Sequence, residues 1–248
     1  MAYSNLSPVC LSIAVAALCA TMAQAEPQTP VFDAGQFANP KPNPYMDLTI
    51  GHRNVMTGSG EIDGKQGNVI SADIVTGPGP VLLGVQTVQV LDQTVFNGLL
   101  TEQTFDYYAN DDQGNLWYFG EDVTNYTYDA KGHRTGSDST SAWLAGEGGA
   151  MPGIAMPGAP VLGLTQMQEV APDQGAMDYF EVVDPDTSLT GPSGTYEHVL
   201  KTYETSLSEP DGREFKYFAP GVGLLRVEDD VSAERTNPKL VMERQPAG

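Results

Sequence analysis

The sequence predicts an all-β, mainly antiparallel fold: a meander forming a strongly curved sheet or open barrel, with a β-sandwich as the alternative. Three observations predict it. The 248 residues include 27 glycines and 18 prolines, more chain-turning residues than the usual roughly 12%. From about Leu48 onward, strand-like runs alternate with turn signals at intervals of roughly 10 to 18 residues. No stretch keeps a 3.6-residue apolar period for a dozen positions, and no glycine-rich phosphate loop opens a helix, so helical bundles and nucleotide folds are unsupported.

The chain opens differently. Leu11–Ala20 is apolar, and Ala23-Gln24-Ala25 has the small-x-small pattern that precedes a cleavage site. Residues 1–25 are therefore expected to be a signal peptide, cut near Ala25, and the protein to be periplasmic or extracellular. An apolar run of about ten residues is too short to span a bilayer. Leu18 precedes Cys19 where a lipoprotein leader carries a small residue. Cleavage would remove Cys10 and Cys19, the only two cysteines, and with them any thiol for a disulfide, zinc cluster or nucleophile. Residues 26–46, rich in proline and asparagine, are expected to be an extended N-terminal arm, and residues 47–248 a single β domain.

Charge narrows the partners. Twelve Lys and Arg stand against 32 Asp and Glu, a net charge of −20. A phosphate backbone would be repelled, which argues against nucleic acid. Hydrophobic residues still make up 40% of the chain, enough for a folded core.

The turns carry the topology. Asn97-Gly98 separates two apolar runs, and both residues tolerate the positive φ of a two-residue hairpin. Asp111-Asp112-Gln113-Gly114 and Asp129-Ala130-Lys131-Gly132 share the form Asp-x-x-Gly, with Glu209-Pro210-Asp211-Gly212 as a variant. Each suits a type I turn ending in a left-handed glycine. The first of them sets a register: Asp111 with Asn115, Ala109 with Trp117, Tyr107 with Phe119, Phe105 with Glu121. One face is then apolar. The other pairs Asn110 with Leu116, Tyr108 with Tyr118 and Asp106 with Gly120, followed by Asp122. A one-residue slip would mate the wrong partners. The Glu209–Gly212 turn likewise puts Tyr203, Phe215 and Tyr217 on one side and Glu204, Glu214, Lys216 and Phe218 on the other.

Between Gly146 and Gly163 the sequence is too rich in Gly and Pro for a helix or a central strand. It is expected to be a lid, a strap or a plain crossover.

The stretch from Asp106 to Val123, Asp-Tyr-Tyr-Ala-Asn-Asp-Asp-Gln-Gly-Asn-Leu-Trp-Tyr-Phe-Gly-Glu-Asp-Val, resembles the signature of a family of secreted bacterial proteins, roughly D-[WY]-Y-A-x-D-x-x-G-N-x-W-Y-F-G-E-D. The segments Ser141–Pro157 and Glu214–Leu224 resemble the same family, so the likeness runs from about Leu82 to Val227. Tyr107 stands where the family usually has Trp, Asn110 where it has Gln, and Phe218 where it has Tyr. The resemblance implies a β-rich exported protein and no particular activity.

Several chemistries compete. Asp106, Glu121, Asp122 and Glu147, near Tyr108, Tyr118 and Trp143, suggest paired carboxylates beside sugar platforms, although 32 acidic residues make chance proximity common. Lys216 beside Glu204 and Glu214 is most simply an ion pair on a solvated face. Calcium at Asn110–Asn115 is a weak candidate against a hairpin turn whose Asp caps its own backbone, because the alternating ligands of a calcium loop are missing. Widely spaced His52, His133 and His198 give no zinc pattern, and scattered methionines suit gap filling better than copper. There is no nucleophile elbow. The expectation is an exported, non-catalytic binding or carrier protein for a small amphipathic, lipid-like or saccharide ligand, without cofactor. Asp106, Tyr108, Tyr118, Asp122, Trp143, Glu147, Glu204 and Lys216 are the candidate ligand-binding residues. The alternatives are a secreted polysaccharide hydrolase or lyase using carboxylate and Tyr, and an interaction module with no small ligand.

Overall fold

A computed structural model describes residues 26–62 and 64–246. The expected signal peptide lies outside the described residues. Turn chemistry and strand alternation resolve into fifteen β-strands and two single 3-10 turns, with no α-helix among the described residues. No helix there is long and apolar enough to cross a membrane.

Two meanders make up most of the sheet. The first is β1 (Arg53–Ile62), β2 (Lys65–Leu82), β3 (Val85–Phe96), β4 (Leu99–Asn110) and β5 (Leu116–Tyr128). After the short strands β6 (Arg134–Asp138), β7 (Trp143–Leu144), β8 (Met151–Met156), β9 (Thr165–Met167) and β10 (Glu169–Val170) comes the second. It is β11 (Asp178–Gly191), β12 (Gly194–Ser206), β13 (Arg213–Ala219), β14 (Gly223–Asp229) and β15 (Leu240–Arg244). The last strand returns to pair antiparallel with the first, Met56 opposite Arg244 and Gly60 opposite Leu240. All the strands thus belong to a single sheet, ordered β10-β8-β5-β4-β3-β2-β1-β15-β14-β13-β12-β11-β9. It is curled into a barrel with one seam, not the two layers of a sandwich. The segment Thr165–Val170 spans that seam, because β9 bonds to β11 while β10, one residue later, pairs with β8.

The Gly/Pro-rich stretch is therefore not structureless. It contains β8, a wall strand paired with β5 and β10. Small side chains are what let the wall close here: a Cβ on Gly153 would lie 2.4 Å from the Gln168 carbonyl oxygen.

The hairpin turns follow their sequence signals. Asn97 and Gly98 both have positive φ, 50° and 81°. Asp111 accepts from the Gln113 and Asn115 amides at 2.8 and 2.9 Å, and its other oxygen accepts from Asn115 Nδ2 and Trp117 Nε1, each at 2.8 Å. Four donors thus occupy the carboxylate that sequence reading weighed for calcium. The Glu209–Gly212 turn departs from expectation: Gly212 donates to the Glu209 carbonyl but is not left-handed.

The apolar face of β4 and β5 points out of the barrel, where the N-terminal arm covers it. Phe32 and Phe37 meet Trp117 and Phe119 edge-on, with ring centroids 5.6 to 6.0 Å apart. Trp117 is 2% exposed and Phe119 is 0%. The arm begins as an edge partner, Gln28 bonding Thr165 and Met167 of β9. It ends across the barrel mouth, where Asn43 Nδ2 donates to the Gly114 and Met156 carbonyls. A second outer cluster, with Tyr203, Phe215, Tyr217 and Leu225 at its centre, packs against Leu189 and Tyr196 of the long β11–β12 hairpin. Register shifts after Val182, Asp184 and Thr187 bend β11 as it does so. With both apolar faces covered from outside, the polar face of each meander is left to line the interior.

Candidate binding site

Strand register stacks acidic side chains on the inner wall. Asp73 lies opposite Asp92, Asp106 opposite Glu121, Glu204 opposite Glu214, and Glu214 opposite Asp229. Like charges directly across a strand pair destabilise it, so this arrangement costs stability. One cation relieves part of it: Lys216 Nζ sits 2.9 Å from both Glu204 and Glu214. Glu204 also accepts from Thr202 Oγ1 at 2.8 Å and Gln168 Nε2 at 3.2 Å.

Burial and neighbouring charge raise several of the other carboxyls. Burial pushes the Asp106 carboxyl up to about 7, although the Tyr118 hydroxyl holds it down. Burial, with the charge of Asp106 beside it, raises Glu121 to about 8. Burial raises Glu214 to about 7 against the pull of Lys216. Asp92 stands well above the usual carboxylate range because it is buried and faces Asp73. Burial alone would lower the Lys216 ammonium, but Glu204 and Glu214 raise it well above its ordinary value.

These groups surround an interior chamber of about 330 Å³, within the size range of small-molecule sites. Asp73, Asp92, Asp106 and Tyr108 line one side, and Met156, Phe218, Leu224 and Val227 supply apolar surface. Tyr45, Met46, Asp47 and Leu48, where the arm enters the barrel, form part of the lining. A second recess of about 610 Å³ is lined by Glu102, Glu121, Glu169, Asp178 and Asp229, and shares Glu204 and Glu214 with the first. Glu204 and Glu214, the two partners of Lys216, thus line both recesses.

Of the residues singled out from sequence, Asp106, Tyr108, Glu204 and Lys216 meet on the chamber lining. Lys216 and its glutamates, expected on a solvated face, are interior. Tyr118 stands behind the wall, donating to Asp106 at 2.6 Å and stacking on Tyr108 at 4.8 Å. Trp143 is buried edge-on against Tyr118 at 5.5 Å, a packing contact. Asp122 and Glu147 do not join them. The expected register holds from Asn110–Leu116 to Tyr108–Tyr118 and then shifts, so that Asp106 faces Glu121 and Phe105 faces Asp122. The cause is a bulge at Gly120, whose φ of +125° brings its backbone against Trp143. Glu121 turns inward and Asp122 is exposed outside. Glu147 is exposed in the turn that links Leu144 to Ala150.

Asp73 and Asp92 escaped sequence reading, and Glu121, weighed as one of the paired carboxylates, was placed on the apolar face opposite Phe105. The first two had a signal: each is a lone carboxylate amid apolar, β-branched neighbours, Ile70–Val75 and Val88–Val95, in phase with inward positions. The inward turn of Glu121 had none, because a bulge is not written in the alternation.

No protein-family model and no curated protein matches the chain. Among solved structures, that of a "putative lipoprotein" from Parabacteroides distasonis is similar at 12% identity and a TM-score of 0.40, covering 83% of this chain and 99% of that one. So loose a likeness leaves the site to be argued from this chain's own residues.

Proposed function

We propose that the protein is an exported, non-catalytic binding or carrier protein for a small amphipathic ligand held inside the barrel. The observation that carries this reading is the chamber itself, with the carboxyls of Asp73, Asp92 and Asp106 on one side and Met156, Phe218 and Leu224 on another. Such a lining suits a compact molecule with hydrogen-bond donors at one end better than a long lipid tail. Export rests on the leader sequence. A polysaccharide hydrolase or lyase stands second, since the lining at the arm's entry, Tyr45–Leu48, lies where a polymer would need to pass.

Native mass spectrometry of protein purified from its own cells tests the proposal. A retained adduct of a few hundred daltons, released on denaturation, is expected. A bare polypeptide mass, together with no thermal shift from any small-molecule fraction of the same cells, would overturn it.

A further inference from the structure

We propose that the chamber wall formed by Asn54, Asp73 and Asp92 recognises an ammonium group with an oxygen acceptor beside it, making the ligand a small amine of the amino alcohol, amino sugar or amino acid kind. This rests on the binding reading above and names its ligand's chemistry.

The three residues lie in one cross-strand row, Asn54 opposite Asp73 and Asp73 opposite Asp92, which continues to Thr104 on the next strand. At about 4.8 Å per strand the row is about 14 Å long. The Asn54 end, on the chamber lining, holds a buried polar atom with no hydrogen-bond partner, Nδ2. Asn54 is only 6% exposed. Buried polar groups are nearly always satisfied, so an orphan on a cavity wall points to a missing partner. Asn54 Oδ1 already accepts from Arg244 at 2.7 Å, which fixes the amide and leaves Nδ2 as its free donor. Arg244 lines the same chamber. This end of the row therefore offers donors, and the ligand must present an oxygen acceptor to it.

The middle of the row asks for the opposite. Asp73 and Asp92 face one another as Glu204 and Glu214 do, but no lysine or arginine is ion-paired with either among the described residues. Lys216 shows how this interior holds an ammonium, between two carboxylates at 2.9 Å each. A ligand ammonium has three donors and one charge to do the same for Asp73 and Asp92. A neutral sugar has the hydroxyls but brings no positive charge to the pair.

Isothermal calorimetry of the full chain at pH 7.5 with 2-aminoethanol, glucosamine, glycine, glucose and calcium chloride separates the cases. Saturable binding of at least one amine is expected, with none of glucose or calcium. Which amine binds tells an amino alcohol or amino sugar from an amino acid. Asp92→Asn should weaken that binding at least tenfold while remaining folded, since it is nearly isosteric and removes a like-charge opposition; Asp73→Asn is the second variant. Glu147→Gln, outside the chamber, should change nothing. Glucose binding as well as glucosamine, calcium binding alone, no heat from any amine, or amine binding unchanged in both Asp variants would each overturn the inference. A bound glucose would leave the wider binding proposal standing, whereas a bare native mass with no thermal shift from any small-molecule fraction would remove both.

Discussion

At Tyr118, strand alternation, stacking and a buried hydrogen bond converge. The ring lies between Tyr108 and Trp143, and its hydroxyl donates to Asp106. Sequence alternation placed Tyr118 and Asp106 on the same face as each other, and correctly apart from Trp117 and Phe119. It suggested a solvated or ligand-facing surface, on which truncation would be mild. The structure buries both faces, leaving Tyr118 7% exposed, because a sheet that closes on itself has an inside as well as a covered outside. Tyr118→Ala should therefore cost about 3 to 5 kcal/mol in urea melts, as Trp117→Ala should. A loss under about 1 kcal/mol would contradict the packing described. Asp106 supplies a pH prediction. Its folded pKa of about 7 lies above its ordinary 3.8, so the folded state keeps a proton that the unfolded state gives up. Stability is then greatest in acid and falls as pH rises from about 4 through 7, with Glu121 at about 8 and Glu214 at about 7 acting in the same sense. Asp106→Asn should leave the melting temperature nearly unchanged at pH 4 and raise it at pH 8. A lowered melting temperature at pH 8 would show that the ionised carboxylate stabilises the fold.

The elements that the sequence displays best are those made by local chemistry. Asn97-Gly98 and the two Asp-x-x-Gly turns each specify their own bend, and they fix β3, β4, β5 and β6 in order. What local chemistry does not display is a residue whose conformation is imposed from outside the strand. Gly120 is one. Its neighbours alternate as an uninterrupted strand would, and only the approach of Trp143 makes a side chain impossible there, with a Cβ 2.2 Å from the Trp143 carbonyl oxygen. Gly120→Ala should cost at least about 2 kcal/mol, from a strained positive φ alone before any clash is counted. An equilibrium melt like that of the parent chain would mean that the bulge, and with it the inward turn of Glu121, is misplaced. The strand β8 was hidden for a related reason: Pro152 and Gly153 speak against a wall strand, yet close backbone packing across the seam needs residues that small.

For the whole molecule, closure is the property that turns two acidic meanders into a site. The meanders meet through β1 and β15 on one side and through β8 and the Thr165–Val170 segment on the other. Neither junction carries a turn signal, since each joins residues far apart in sequence, and so a curved sheet was legible where its circuit was not. The candidate site was legible to the same degree. Asp106, Tyr108, Glu204 and Lys216 were chosen from separate hairpins, and only the closed circuit sets them around one cavity with Asp73 and Asp92. A cavity that holds a ligand stops doing so when it is filled. Ser71 is a small residue on the chamber lining, and Ser71→Phe would place a ring in the space. Native mass spectrometry of the parent chain and this variant, purified side by side and matched by circular dichroism, should show a small-molecule adduct on the parent and none on the variant. An adduct of the same mass and occupancy on both would place the ligand outside the chamber.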